Sequence, residues 1–109
     1  MGMHYLLSAV KLKPTVSAET FARTVADLTG YLQDAELISG ASAVGKRYRH
    51  PIMDTDKDDL DFFFTLSFDT QQQLEASVEY MAGRSGAGAQ LHEQLWSQLA
   101  QYRFTCWED

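Results

Sequence analysis

The fold of this chain is decided by residues 60–69, which read Leu60-Asp61-Phe62-Phe63-Phe64-Thr65-Leu66-Ser67-Phe68-Asp69. Side chains alternate between the two faces of a β-strand. One face of this stretch is therefore wholly apolar and consists of Leu60, Phe62, Phe64, Leu66 and Phe68. The other face is polar at both ends, with Phe63 between them. We predict a central strand whose apolar face packs under helices and whose second face lines a partly wet cavity or a subunit contact.

The segments before the central strand predict two strands and one helix. Residues 4–13 are mostly apolar on both faces, which indicates a strand covered on both sides. Ser17 is a suitable N-cap for an amphipathic helix over residues 18–33. Residues 37–48 are rich in small side chains, so we predict an edge strand that bulges or meets a partner chain. A polar connection over residues 49–59 leads into the central strand.

The segments after the central strand predict a divided helix and a last strand. Thr70 and Gln73 form a capping box at the start of a helix. A glycine-rich loop over residues 83–89 separates this helix from a shorter one that carries Trp96. Residues 102–107 are the last strand. The order β-α-β-β-α-β predicts an α+β, ferredoxin-like domain over residues 1–109, with a four-stranded antiparallel sheet and helices on one face.

Composition excludes several classes of protein. A chain of 109 residues fits a single domain. Its net charge of −6 argues against nucleic-acid binding, which requires a concentrated basic surface. No apolar run approaches the ~20 residues of a membrane span, and no signal peptide is evident. Its one cysteine, Cys106, is compatible with a reducing compartment. We expect a soluble cytoplasmic protein with no membrane or nucleic-acid partner.

Three motifs resemble the dimeric α/β-barrel superfamily, and most closely its stress-responsive branch. The first is Leu6-Leu7-Ser8-Ala9-Val10-Lys11-Leu12-Lys13-Pro14-Thr15-Val16-Ser17, a strand that ends in a Lys-Leu-Lys-Pro sequence before a capped helix. The others are Thr65-Leu66-Ser67-Phe68-Asp69 running into a helix, and a tryptophan-bearing helix before the last strand. The resemblance implies a dimeric α/β barrel joined through the sheet face that the helices leave open. Functions in the superfamily range from cofactor-free monooxygenases and polyketide cyclases to proteins of unknown activity.

The residues that a cyclase of this type requires are only partly present. Such cyclases carry a histidine at the start of the first strand, where this chain has Leu6, with His4 two residues earlier on the same face. They also carry a histidine in the loop after the second helix, and residues 83–89 contain none. The family's helix tyrosine falls at Ser77 by one count and beside Tyr80 by another.

Six side chains are candidates for a pocket between the sheet and the helices: His4, Ser8, Phe64, Tyr80, His92 and Trp96. Small-molecule sites are typically apolar cavities with a few polar groups, and a histidine in one can act as a general base. The alternative is that the two large aromatic residues are core, that His92 is exposed and that His4 frays at the terminus.

Two functional hypotheses follow from these candidates. The first is a small homodimeric barrel protein that binds an apolar or aromatic ligand. The second is a cofactor-independent monooxygenase or cyclase with a histidine or tyrosine as its acid–base group. No motif indicates a cofactor under either hypothesis. The enzyme hypothesis requires that His4 or His92 point into an enclosed cavity, within hydrogen-bond reach of Tyr80 or Ser8.

Three further motifs have ordinary structural interpretations. Residues 54–58 resemble the start of a calcium loop, but Asp59 and Thr65 stand where glycine and glutamate are needed, so we predict no metal site. Their charges are free to pair with Arg47 and Arg49. The spacing of the glycines in residues 83–89 matches neither phosphate-loop fingerprint. Cys106 lies within a strand and is interpreted as a packing residue.

The outer face of the predicted sheet indicates a homodimer. It carries five apolar side chains with no helix over them: Tyr5, Leu7, Ala9, Phe63 and Trp107. An apolar patch of several hundred Å² is larger than soluble monomers usually expose. Pairing two such faces about a two-fold axis buries the patch in both subunits. We therefore predict that these residues form the dimer interface.

Overall fold

The computed structural model describes residues 2–83 and 86–109 of the chain. It is an α+β structure of the ferredoxin-like type, with all strand pairs antiparallel. Its elements in chain order are β1 (His4–Leu12), α1 (Ala18–Asp34), β2 (Gly40–Ala41), β3 (Gly45–Lys46), β4 (Phe62–Phe68), α2 (Gln71–Ala82), α3 (Gly86–Ser97) and β5 (Leu99–Glu108). No helix among these residues has the length and apolar character needed to cross a membrane.

The sheet has the order β2-β4-β1-β5, with β3 also paired to β4. The two central strands are β1 and β4, in a register that places Ser8 opposite Phe64 and Leu6 opposite Leu66. The apolar face predicted for residues 60–68 faces the helices, as the almost complete burial of Phe64, Leu66 and Phe68 shows. The period-two pattern therefore identified both the central strand and its orientation.

The predicted second strand, residues 37–48, is at the sheet edge as expected but is interrupted. Ala41 pairs with Leu66 and Gly45 pairs with Phe63. The chain therefore advances four residues on this segment and only three on β4 between the two pairs. At the break, the Ser42 hydroxyl accepts the N–H of Thr65 at 2.8 Å, in the place of a backbone carbonyl. This is a β-bulge with one extra residue, and it leaves β2 and β3 as two short strands.

Both predicted helix caps are present. The Ser17 hydroxyl accepts the N–H of Thr20 at the start of α1, and the Thr70 hydroxyl accepts the N–H of Gln73 at the start of α2. The apolar side chain of Val78 on α2 is 47% exposed and so lies outside the core. The fully buried position is Ser77, whose hydroxyl donates to the carbonyl of Leu37 and so satisfies its polar group internally.

The predicted glycine loop at residues 83–89 is largely helical, because α3 begins at Gly86. Residues 84 and 85 lie outside the described residues. Gly88 lies where α3 meets the rings of Tyr31 and Tyr80, and a Cβ there would stand 2.7 Å and 2.5 Å from their Cε1 atoms. The absence of a side chain therefore lets the three helices approach closely.

The connection between β3 and β4 folds across one end of the outer sheet face. The buried guanidinium of Arg47 donates to the carboxylates of Asp54 and Asp58, while Arg103 on β5 donates to the other Asp58 oxygen at 3.1 Å. Lys11 on β1 contacts Asp59 in the same connection at 3.4 Å. The predicted pairing of this acidic segment with Arg47 is confirmed, but the Arg47 side chain is buried and its two carboxylate partners are partly buried, so this is not a surface pair.

One predicted interface residue is already covered within the monomer. Ala9 is 1% exposed, because Arg103 lies beside it in the register and reaches over to Asp58. It therefore adds nothing to an exposed apolar patch. The other predicted interface residues retain exposed surface, and the rings of Tyr5 and Trp107 stack with centroids 5.1 Å apart.

Candidate functional site

A cavity of about 330 Å³ lies between the helix-covered face of the sheet and α2 and α3. Its walls are mostly aliphatic side chains from β1, β4 and the three helices, together with the rings of Phe64, Trp96 and Phe104. Ser8 and His92 contribute the polar groups. Within the described residues, no aspartate, glutamate, lysine or arginine lines the cavity. The space therefore suits an uncharged, mainly apolar molecule.

Ser8 is at the centre of the cavity floor. The alternation of β1 turns it toward the helices, between Phe64 on β4 and Phe104 on β5. The residue is 3% exposed, and its hydroxyl forms no hydrogen bond with the described residues. Among those residues, the only fully enclosed side-chain polar atom without a partner is Oε1 of Gln98. The Ser8 hydroxyl is therefore at the surface of the cavity and has its hydrogen-bonding capacity free.

His92 and Trp96 form the wall on the α3 side. They are four residues apart and so lie on one face of the helix. The indole Nε1–H of Trp96 donates to Nε2 of His92 at 2.8 Å. Burial lowers the pKa of His92, and the backbone carbonyl of Met81 opposes this only in part. The imidazole is thus neutral at neutral pH, with the lone pair of Nε2 occupied.

The open side of the cavity is bordered by aromatic rings of the edge strand β5. The Trp96 ring meets Tyr102 edge-on at a centroid distance of 4.4 Å and Phe104 at 5.8 Å. Tyr102 and Phe104 are 52% and 44% exposed, because the helices do not extend over β5. A neighbouring depression shares Met81, Ala82, His92 and Trp96 with the cavity. These shared residues form the boundary between the cavity and the depression.

Four of the six predicted pocket residues meet at this cavity: Ser8, Phe64, His92 and Trp96. The structure does not bring His4 there. Its Nε2 lies 3.7 Å from a carboxylate oxygen of Glu108, at a separate depression beside Cys106 near the end of the sheet. The reason is its position in β1, four residues from Ser8 and therefore about 13 Å along the strand. Cys106 itself is exposed, and not packed as predicted, because β5 is an edge strand.

Tyr80 is also placed outside the cavity lining. Its hydroxyl lies 2.9 Å from the hydroxyl of Tyr31, and the two rings stack beside Gly88. This hydrogen bond, with burial, raises the pKa of Tyr80. Its role in the structure is to join α2 to α1. The acid–base arrangement expected for a cyclase is therefore reduced to His92 and Ser8.

Several cavity residues were missed by the sequence interpretation, among them Met81, Ala82 and Phe104. For Phe104 a signal was present. The last strand alternates Tyr102, Phe104 and Cys106 on one face, and pairing with β1 places that face on the helix side. For Ala82 there was no signal, because its position depends on how α2 and α3 pack together.

The carboxylates of the acidic segment before β4 are bound by arginine side chains. No group of three or more potential metal-binding side chains occurs in the part of the chain that the structure describes. Asp58 accepts hydrogen bonds from the backbone N–H of Leu60 and from Arg47, and these hold its pKa at about 2. Both carboxylates that a cation would need here, Asp54 and Asp58, are thus occupied by Arg47.

The comparisons with known proteins place the chain in a family. A model described as "Family of unknown function (DUF6614)" matches residues 3–109. The chain belongs to the DUF6614 family. A comparison of this DUF6614 chain with curated proteins finds no match.

Solved structures share its fold. It is similar to the hydroxynitrile lyase from Passiflora edulis, with 11% identity, a TM-score of 0.72 and coverage of 98% of this chain and 93% of the lyase. It is similar to a dimeric ferredoxin-like protein of unknown function from Jannaschia sp. CCS1, with 12% identity, a TM-score of 0.70 and coverage of 99% and 100%. A dimeric protein of unknown function and ferredoxin-like fold from Bacteroides fragilis NCTC 9343 is 14% identical, with a TM-score of 0.62 and coverage of 98% and 96%.

These likenesses confirm the fold predicted from the sequence. The DUF6614 chain is α+β and ferredoxin-like. Its nearness to the stress-responsive branch stays a prediction. At identities of 11–14% the likeness concerns the fold alone, so the function has to be argued from the residues of this chain.

Proposed function

We propose that this DUF6614 protein is a homodimeric α/β-barrel protein that binds a small apolar or aromatic molecule in the cavity between sheet and helices. The observation that carries the proposal is the cavity itself, about 330 Å³ in volume and lined almost entirely by apolar side chains. That volume lies at the lower end of the ~300–1,000 Å³ typical of small-molecule sites. A cytoplasmic location is part of the proposal and is supported by the single cysteine.

The cavity supports binding better than acid–base catalysis. A catalytic base requires a free lone pair directed at the substrate. The Nε2 lone pair of His92 accepts the indole N–H of Trp96, and Tyr80 is bonded to Tyr31. Ser8 has a free hydroxyl, but no base among the described residues is in hydrogen-bond contact with it. The hypothesis of a cofactor-independent monooxygenase or cyclase would need Trp96 to release His92.

The homodimer is supported by the outer sheet face. Tyr5, Leu7 and Phe63 are only half-buried in one chain, and Trp107 is 43% exposed beside them. Two chains packed face to face about a two-fold axis would remove these side chains from water. The proteins from Jannaschia and Bacteroides fragilis, which share the fold, are described as dimeric.

The dimer is tested by analytical ultracentrifugation of the wild type and of Leu7→Asp at micromolar concentration. A carboxylate at the centre of the face loses its hydration when the faces pair. We therefore expect a dimer for the wild type and a folded monomer or unfolded chain for Leu7→Asp. A wild-type monomer, or a Leu7→Asp protein that remains dimeric, would contradict this interface.

Ligand binding is tested by titrating ¹⁵N-labelled protein with naphthalene and following the two tryptophan indole N–H signals by NMR. Trp96 lines the cavity, whereas Trp107 is on the outer face and serves as an internal control. We expect naphthalene to shift the Trp96 signal with saturation and to leave the Trp107 signal in place.

A matched pair of variants identifies the binding site. Ala82 and Ala76 are both exposed residues of α2, but only Ala82 lies at the rim that the cavity shares with the neighbouring depression. A phenyl ring at position 82 adds bulk to the cavity wall, so Ala82→Phe should abolish the Trp96 response and Ala76→Phe should preserve it. Absence of a saturable Trp96 shift in the wild type, or equal binding by both variants, would refute a ligand site in this cavity.

A further inference from the structure

We propose that the cavity selects a neutral aromatic molecule that carries a single hydroxyl or carbonyl group, and that the Ser8 hydroxyl is the residue that recognises this group. The inference rests on the proposed binding function and adds the chemical class of the ligand. It is carried by three observations, which concern the hydroxyl, the charge and the rings of the cavity.

The first observation is the unpartnered hydroxyl. Ser8 is 97% buried by accessible area, since only 3% is exposed, yet its hydroxyl has no partner among the described residues and borders the empty volume. A hydroxyl that a ligand covers without offering it a hydrogen bond is unfavourable, by an amount comparable to a lost bond. A ligand with an acceptor or a hydroxyl at this point would satisfy it. A wholly apolar ligand would cover it and leave it unsatisfied.

The second observation is the absence of any charge in the lining. An ionised carboxylate or ammonium group loses its hydration on entry and needs a paired charge in return. The described residues of the lining offer none, and His92 is kept uncharged by its burial. Its Nε2 is occupied by Trp96, so it does not compete with Ser8 for the polar group of the ligand. The cavity should therefore exclude the ionised form of an otherwise suitable molecule.

The third observation is the position of the hydroxyl between aromatic rings. In the sheet register Ser8 lies directly between Phe64 and Phe104, and the Trp96 ring is 5.8 Å from that of Phe104. Rings at these positions favour edge-on or offset contacts with a planar aromatic molecule. The cavity volume of about 330 Å³ accommodates one or two fused rings with one polar group directed at Ser8.

The test compares naphthalene, 2-naphthol and 2-naphthoate at neutral pH, with the Trp96 indole signal as the readout. The three probes share one ring system and differ in a hydroxyl or a carboxylate. A neutral hydrogen bond corresponds to about a 3- to 10-fold gain in affinity. We expect 2-naphthol to bind that much more tightly than naphthalene, and 2-naphthoate to bind more weakly than either.

Variants of two strand serines assign the effect to one residue. Ser8→Ala should lower the affinity for 2-naphthol to about that for naphthalene and leave naphthalene binding unchanged. The control is Ser67→Ala, because Ser67 is on β4 and faces the side of the sheet opposite to Ser8. This substitution should change the affinity for neither naphthalene nor 2-naphthol. Replacement by alanine removes only one oxygen, so both variants should retain the fold, and circular dichroism verifies this.

The results separate this inference from the function on which it rests. Equal binding of naphthalene and 2-naphthol, insensitive to Ser8→Ala, would overturn the role of Ser8 and leave the ligand site standing. Preferred binding of 2-naphthoate would overturn the neutral class of ligand. If none of the three probes moves the Trp96 signal, the proposed binding function fails and this inference fails with it.

Discussion

Truncation of Phe68 to alanine should destabilise the protein more than truncation of Phe64, although the two are on the same face of β4. Phe68 is 0% exposed and is enclosed by the core, whereas Phe64 is 5% exposed and borders the cavity. Removing a buried phenyl ring costs about 3–5 kcal/mol from lost transfer free energy and the void that remains. A ring that already faces empty space has fewer contacts to lose. We therefore expect about 4–5 kcal/mol for Phe68→Ala and about 3 kcal/mol for Phe64→Ala.

Urea unfolding followed by circular dichroism measures both values, at one protein concentration because dimerisation contributes to the stability. For a domain of this size, the expected fall in melting temperature is roughly 12–20 °C. Tyr48→Ala is the matched control, since Tyr48 is 77% exposed and its truncation should change the unfolding free energy by less than ~0.5 kcal/mol. A loss below ~1 kcal/mol for either phenylalanine would refute the strand register, and a larger loss for Phe64 than for Phe68 would refute the cavity beside it.

Two further predictions concern helix packing and pH. Gly88→Ala should lower the melting temperature, because the added Cβ would lie within 2.7 Å of ring atoms of Tyr80 and Tyr31. The control is Gly30→Ala, which has open space around it and should raise the unfolding free energy by about 0.4–1 kcal/mol. A stabilising effect of Gly88→Ala would contradict the helix contact. The pKa of Asp58 is lowered from 3.8 to about 2 in the folded protein, so its contribution is present above pH 3.8 and is lost as the pH falls toward 2. The difference in melting temperature between wild type and Asp58→Asn should therefore shrink to a small part of its neutral-pH value across that interval, and an undiminished difference at pH 2 would contradict the pairing.

The central strand and the caps were predictable because they depend on short-range patterns. The alternation around Phe64 specifies which side chains share a face, and a serine or threonine before an apolar helical repeat specifies a cap. A bulge was among the expectations for the second strand, but its position at Ser42 was not predictable. It depends on the Ser42 hydroxyl replacing a backbone carbonyl opposite Thr65, a contact between residues 23 positions apart.

The same distinction explains the outcome at the candidate site. Ser8 and Phe64 could be assigned to the helix-covered face from strand alternation alone. Tyr80 could not be excluded from it, because its partner Tyr31 is 49 residues away and the pair forms only when α1 and α2 pack. The burial of Ala9 depends in the same way on Arg103 reaching a distant carboxylate. Local periodicity predicts which side chains share a face of a helix or strand. Packing between elements decides which of those side chains are then hydrogen-bonded or covered by residues distant in sequence.

The measurement that tests the central claim most directly is X-ray diffraction from crystals pressurised with xenon. Apolar cavities in proteins stay dry and bind xenon without any specific ligand. We predict a strong xenon peak enclosed by Ser8, Phe64 and Trp96, and its loss in Ala82→Phe crystals. Side chains of Trp96 and Phe104 that fill this space, with no xenon between the sheet and the helices, would contradict a ligand cavity in this protein.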